Sequence, residues 1–332
     1  MRTGRDDSGR DAMTAGRTGF PDRDTVLTAV RLACCAPSVH NTQPWRWRVG
    51  RSSIHLFADP ERRLPATDPD GRDLVISCGA ALHHLVVALA GFGWSARVHR
   101  LPSPGTPEHL AAVEVVPTVP GQADLVLAAA ITQRRSDRRA YAPEEVSEPY
   151  LAQLAEAAGS VRVKALRPSD LAAYVAEANA TQLADSAYLS ELALWTGRFA
   201  SPDGVPAANS PTETRFGDLI TRRFTVPRLA QTSPNGGAGT LLVLGTPCDD
   251  RLSWLQTGEA TSAVTLTATS LRLVSCPVSQ PIEVRHTRGL LQRQILGGEL
   301  APQLILRVGL PIPGSTPVPR TPRRLLSDVV DW

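Results

Sequence analysis

The sequence predicts an α+β fold in two pseudo-repeated halves, and three features lead there. Segments with helical spacing of apolar residues alternate with segments of period two. Two long apolar helical runs carry matching residues 179 positions apart, and the helix and strand order seen before residue 130 returns after residue 140. With 332 residues, 42% of them hydrophobic and 20% charged, the chain can build one large core or two modest ones.

Taken in order, residues 1 to 20 mix Arg, Asp, Gly and Thr without an apolar run, so a disordered tail is expected there rather than a signal peptide or an anchor. Residues 22 to 35 place Val26, Leu27, Val30, Leu32 and Ala33 at roughly helical spacing and stop before Pro37, which disfavours helix in the residue preceding it. WRWRV alternates Trp45, Trp47 and Val49 with Arg46 and Arg48, the signature of a half-buried strand. A long helix follows over DGRDLVISCGAALHHLVVALAGFGW, closed by Gly91 and Gly93, and then the strands ARVHRL and LAAVEVVP. The apolar stretch 82 to 94 is too short and too interrupted to span a bilayer.

Gly79, Leu82, Leu85, Val87 and Phe92 share their spacing with Gly258, Thr261, Val264, Leu266 and Leu271, and HLAAVEVVP reads against QLILRVGLP, Pro117 against Pro311. The second correspondence is 15 residues longer than the first, which one loop insertion absorbs. Internal duplication accounts for this; so does coincidence between two amphipathic helices. The halves are drawn at 21 to 130 and 131 to 332. Residues 197 to 239, dense in Pro, Gly, Ser, Thr and Asn, are a lid-like insertion or a solvated excursion.

The net charge of +3, from 35 basic and 32 acidic residues, argues for neither nucleic acid nor a membrane surface as partner. Every basic residue except Lys164 is arginine, the residue suited to bidentate anion contacts. The five cysteines form no Cys-x-x-Cys, which suits a reducing cytoplasm, and no dinucleotide or triphosphate glycine motif, G-x-S-x-G or H-E-x-x-H occurs. His83 and His84 are adjacent on a helix and so do not face one another, which leaves no metal site expected.

Two stretches stand apart. APSVHNTQPW, 36 to 45, concentrates proline and amides beside a strand; QRRSDRRAY, 133 to 141, places Arg134, Ser136 and Arg138 at alternate positions. In an extended segment these three side chains point the same way and suit a phosphate monoester; a solvated charge run in a linker has the same composition.

Together the stretches resemble the nitroreductase superfamily. APSxxNxQPW resembles its flavin-contacting turn, RRSxR its FMN phosphate motif, SCPVSQPIE the segment facing flavin N5, and PRTPRRLLSDVV the C-terminal arginine cluster that closes on the phosphate. The duplicated chain with a long insertion is similar to the Acg-type single-chain FMN-binding branch. The resemblance implies an FMN-dependent nitroreductase fold whose two halves mimic the usual homodimer, making the protein a monomer or weak dimer. FMN contacts are then expected from Pro37, Ser38, Val39, His40, Asn41, Gln43, Arg134, Ser136, Arg138, Pro277, Val278, Ser279, Arg320, Arg323 and Arg324. Only the first half carries the turn and only the second the arginine motif, so one composite pocket between the halves is expected, with backbone and Asn41 groups of the turn facing the flavin. The implied activity is hydride transfer from NAD(P)H through the flavin to a nitroaromatic or quinone-like acceptor, a scheme that requires no protein acid or base. The alternative is a lidded FMN-binding or FMN-sequestering protein with little turnover.

Overall fold

A computed structural model describes residues 19 to 212, 215 to 216, 219 to 220, 222 to 231 and 236 to 332. The expected tail lies outside the described residues apart from Gly19 and Phe20, as does part of the insertion.

The first half runs α1 (Arg23–Ala33), β1 (Trp45–Val49), β2 (Ser53–Ala58), α2 (Arg72–Gly91), β3 (Trp94–Arg100), β4 (His109–Pro117) and α3 (Gln122–Gln133). The Asp22 carboxylate caps α1, accepting from the Thr25 N–H at 2.8 Å. In β1 the alternation read from sequence holds, with Trp45, Trp47 and Val49 buried and Arg46 and Arg48 exposed.

After α3 come α4 (Glu148–Ala157), β5 (Arg162–Leu166), α5 (Pro168–Leu183), α6 (Ser186–Trp195) and four short strands of the insertion, β6 (Thr196–Arg198), β7 (Val205–Pro206), β8 (Arg215–Phe216) and β9 (Leu219–Ile220). Then follow β10 (Thr240–Thr246), α7 (Arg251–Ser270), β11 (Val274–Pro277), α8 (Gln280–Glu283), α9 (Arg285–Leu290), β12 (Ala301–Gly309) and β13 (Val330–Asp331).

The two larger sheets have strand orders β13-β1-β2-β4-β3 and β11-β12-β10-β5. With β13 set aside, each is an antiparallel set ordered first, second, fourth, third along its half, with a 20-residue helix between the second and third strands. Strand β13 lies parallel to β1, pairing Val330 with Trp47, so the C-terminal segment crosses back to the first sheet.

Helix α2 is longer than the apolar run 82 to 94. With its N-terminal turns it is long and apolar enough to cross a membrane, yet most of it is buried against α1, α3 and α7. Helix α7 is rich in threonine and still lies in the core, because Thr257, Thr261, Thr265 and Thr269 each donate their hydroxyl to the carbonyl four residues earlier, at 2.7 to 2.8 Å. Satisfied in this way, the hydroxyl adds no unpaired polar group to the interior and the methyl packs as an apolar surface.

The two helices cross at Gly79 and Gly258. A Cβ on Gly258 would stand 2.0 Å from the Ile76 carbonyl oxygen and 2.7 Å from the Gly79 Cα, both backbone atoms that no rotamer change can move. Gly258→Ala therefore should lower unfolding free energy by about 3 kcal/mol, the upper range of core overpacking. Gly105→Ala, where a Cβ meets nothing, should leave the denaturant midpoint nearly unchanged, and equal midpoints for the two variants would contradict the crossing.

Candidate functional site

One large cleft, about 1560 Å³ of empty space counted out to its mouth, lies where the first-half turn, α2, the arginine segment, β11 and the C-terminal segment meet. Its apolar walls come from Ile76, Ala80, Ile131, Val278 and Leu304.

The turn after α1 is held in an uncommon backbone conformation, with His40, Asn41 and Gln43 at φ of 45°, 55° and 51°. Each non-glycine residue there costs roughly 1 kcal/mol or more, so surrounding bonds must hold it. They are present: Ser38 Oγ accepts from the Gln43 N–H at 3.0 Å, and the Val39 N–H donates to Ser77 Oγ at 3.1 Å. The Asn41 amide nitrogen donates to the carbonyls of Gly204 (3.0 Å) and Pro322 (3.3 Å). Gln43 Nε2 donates to Pro202 O at 2.8 Å, and its Oε1 accepts from the Arg324 N–H at 2.8 Å. The amides of this turn thus fasten the insertion and the C-terminal segment, while Asn41 also borders the cleft.

The arginine segment is extended, with a parallel bridge between Ser136 and Ser275. Asp137 and Arg139 point the other way and pair at 2.7 Å in the interior. The Arg307 guanidinium, 4.0 Å from the Tyr141 ring centroid, donates to the Asp137 carbonyl at 3.3 Å. Arg134, Ser136 and Arg138 all line the cleft, and so does Arg135, which a strict alternation would turn away. They do not converge on one point, because four residues of extended chain span roughly 13 Å. Arg138 lies beside the insertion, donating to Asn209 O at 3.3 Å with its guanidinium 5.0 Å from the Phe224 ring centroid.

Arg134, Arg135, Arg320 and Arg323 border one end of the cleft. Among the described residues none of these four, nor Arg138, has a carboxylate within ion-pair distance. Burial and the neighbouring Arg323 pull the Arg134 pKa down from its ordinary value to about 9, and its Nε has no partner among the described residues. A buried cation without a counter-charge is costly, so this end of the cleft is built for an anion.

Arg323 contributes charge more than bonds. It donates to the carbonyls of Cys34 (2.7 Å), Cys35 (3.0 Å), Ala36 (3.1 Å), Thr321 (3.1 Å) and Pro322 (3.0 Å), which occupies all five of its N–H groups. Three of these carbonyls belong to the C-cap Cys34 and the two residues after it, just beyond α1, where a cation also suits the helix dipole.

Of the residues expected from sequence, Pro37, Ser38, Val39, His40, Asn41, Arg134, Ser136, Arg138, Pro277, Val278, Ser279, Arg320 and Arg323 border the cleft. Gln43 and Arg324 do not. Gln43 is fully buried behind the turn, and Arg324 holds the Gln43 carbonyl at 3.2 Å and lies 3.6 Å from Asp59. The sequence reading passed over Asp73, Arg222 and Phe224, which also line the cleft. Arg222 has a faint signal, a second Arg-Arg pair inside the insertion; Asp73 looks like any acid in the first turn of a helix.

An α+β chain with an arginine-walled anion cleft between two sheets is the class these features define. The chain belongs to the nitroreductase family, whose model matches residues 131–310. A Mycobacterium tuberculosis protein named putative NAD(P)H nitroreductase is 47% identical over 324 residues, 96% of this chain and 94% of its own length. A second from that organism, putative NAD(P)H nitroreductase acg, is 37% identical over 322 residues, 92% of this chain and 95% of its own. The crystal structure of the FMN-dependent nitroreductase NfnB from Mycobacterium smegmatis in complex with NADPH aligns with 64% of this chain and 99% of that one, at 17% identity and a TM-score of 0.41.

Inorganic phosphate should raise the thermal midpoint of the protein in a saturable way, because an anion that binds only the folded state stabilises it by mass action. Arg134→Ala should lose most of that response. Arg324→Ala, outside the cleft, should keep it even if its starting midpoint is lower, and an equal response in all three proteins would contradict the anion site.

Proposed function

We propose that the chain is an FMN-dependent oxidoreductase that takes hydride from NAD(P)H and passes it to an electron-poor acceptor of the nitroaromatic or quinone type. The observation that carries this is the set of cleft arginines without carboxylate partners, in a member of the nitroreductase family. The names of the 47% and 37% identical relatives point to the same chemistry.

The residues fit the cofactor. Arg134, Arg135, Ser136 and Arg320 would hold a phosphate dianion, with Arg323 adding positive potential behind them. Ile76, Ala80, Ile131 and Leu304 offer apolar surface to a flat ring, and Pro37 to Asn41 with Pro277 to Ser279 border it. When bound, FMN supplies the hydride chemistry at its N5 position.

The matching strand orders, the two 20-residue helices starting 179 residues apart and the division of motifs between halves support a duplicated chain that forms a single site in place of the two of a dimer. A monomer or weak dimer follows from that reading. Sequestration of FMN has one specific observation in its favour: the described part of the insertion is fastened over the cleft by Asn41 to Gly204, Gln43 to Pro202, Arg62 to Asp203 and Arg222 to Glu283 bonds.

Cofactor release and quantitation should give one FMN per chain, and two equivalent flavins would overturn the composite site. NADPH added without oxygen should bleach the bound flavin; a yellow protein that does not respond would favour sequestration. Arg134→Ala should weaken FMN by roughly ten- to a hundredfold, the worth of one or two charge-assisted bonds. Riboflavin, which lacks the phosphate, should bind both proteins about equally.

A further inference from the structure

Asp73 is the one carboxyl among the described residues lining the cleft. It is 6% exposed, and its carboxyl oxygens accept no hydrogen bond from any described residue. Its neighbours are better supplied. Asp68, five residues earlier, accepts from the Leu74 N–H at 2.9 Å and from further amides at the start of α2. Glu283 of α8 is paired with Arg222 at 2.6 Å and also accepts from Gln182 Nε2 at 2.6 Å.

The nearby cations are committed elsewhere. Arg222, from the insertion, directs Nη2 to Glu283 and Nη1 to His40 Nε2, and Arg72 donates to Gln303 and approaches Asp249 at 3.5 Å. His40, from the turn, is held in its neutral form by burial and by Arg222 and Arg138. The start of α2 favours an anion at Asp73. Burial, Asp68 and Glu283 outweigh that, together with the pull of Arg72 and Arg222, and push the Asp73 carboxyl well above the usual carboxylate range. Burial raises the Asp68 carboxyl as well, but the amides at the start of α2 that donate to it oppose the rise, and no described residue donates to the Asp73 carboxyl.

We propose that Asp73 is the proton donor of the acceptor half of the cycle, presenting its carboxylic O–H to an oxygen of the nitro or quinone compound held in the cleft. This rests on the oxidoreductase reading above. The acceptor gains two electrons and a hydrogen as hydride from the reduced cofactor. Its oxygen forms an O–H bond as the Asp73 O–H bond breaks, which completes a hydroquinone from a quinone; in a nitro compound the N–O bond then breaks, and water and the nitroso product leave. The carboxylate left behind, buried and without a donor among the described residues, takes a proton back from water at the cleft mouth. The acid form is the active one, so acceptor reduction should hold at low pH and fall as pH rises through the Asp73 pKa.

Three measurements test this. Infrared difference spectra of the oxidised protein at neutral pH, with neither nicotinamide nor acceptor present, should contain the carbonyl band of a protonated carboxylic acid that Asp73→Asn removes. In rapid mixing, Asp73→Asn should slow reoxidation by a benzoquinone without oxygen by about a hundredfold, far more than it slows bleaching by NADPH. Asp73→Glu, which keeps a carboxyl, should recover at least a tenth of the wild-type reoxidation rate and its pH profile. Absence of the band, unchanged reoxidation or equal slowing of both halves overturns the assignment while leaving the oxidoreductase reading intact. A wild-type protein that NADPH does not bleach overturns both. If Asp73→Asn does not fold, the wild-type band must still disappear on the alkaline side in step with reoxidation, and a band that does not track the rate overturns the proposal.

Discussion

The contact between α2 and α7 at Gly79 and Gly258 is the constraint from which the rest of the molecule follows. Two helices whose backbones touch leave no space for side chains between them, so the sheets that each helix covers are brought to a fixed separation. The cleft is a product of that separation. Asp73, Ile76, Ser77 and Ala80 of α2 and Thr261 of α7 all reach its wall from within a few residues of the crossing. A site assembled from helices packed at backbone distance is held more rigidly than one assembled from loops.

Around this frame the protein separates structural charge from available charge. Arg139 with Asp137, Arg222 with Glu283 and Arg100 with Glu259 are paired, and Arg323 is saturated by carbonyls. Arg134 is buried beside Arg323, and no acid among the described residues pairs with it. An arrangement that raises the energy of the empty protein lets an incoming anion gain more than a solvated arginine could offer. At the other end Asp73, to which no described residue donates, lies near Asp68, which the amides at the start of α2 supply; burial raises both carboxyls, and Asp73 the further.

What the sequence made legible was local. The Trp45 and Trp47 alternation reads directly because a pleated strand turns successive side chains to opposite faces. The same rule brought Arg134, Ser136 and Arg138 to one wall, but it says nothing about their distance apart, and Arg138 consequently reaches the insertion. Helix α7 was visible through its glycine spacing even though threonine dominates its buried face, since the hydroxyls are answered within the helix. Gln43 and Arg324 were misplaced because their role depends on where the C-terminal segment returns, 281 residues away along the chain. Asp73 and Arg222 were missed for a similar reason: each acquires meaning from neighbours on other elements, and no local pattern marks it.

The return of the C-terminal segment also bears on how the protein is made. Strand β1 stands at the edge of the first sheet until β13 arrives, and the carbonyls just beyond α1 wait for Arg323. Chains emerge from the ribosome in order, so β1 spends most of translation without β13 beside it and with an open edge. During that interval it can pair with another nascent chain. The exposed arginines flanking the buried tryptophans of β1, Arg46 and Arg48, then act as guards against such pairing, long before any ligand could enter the cleft.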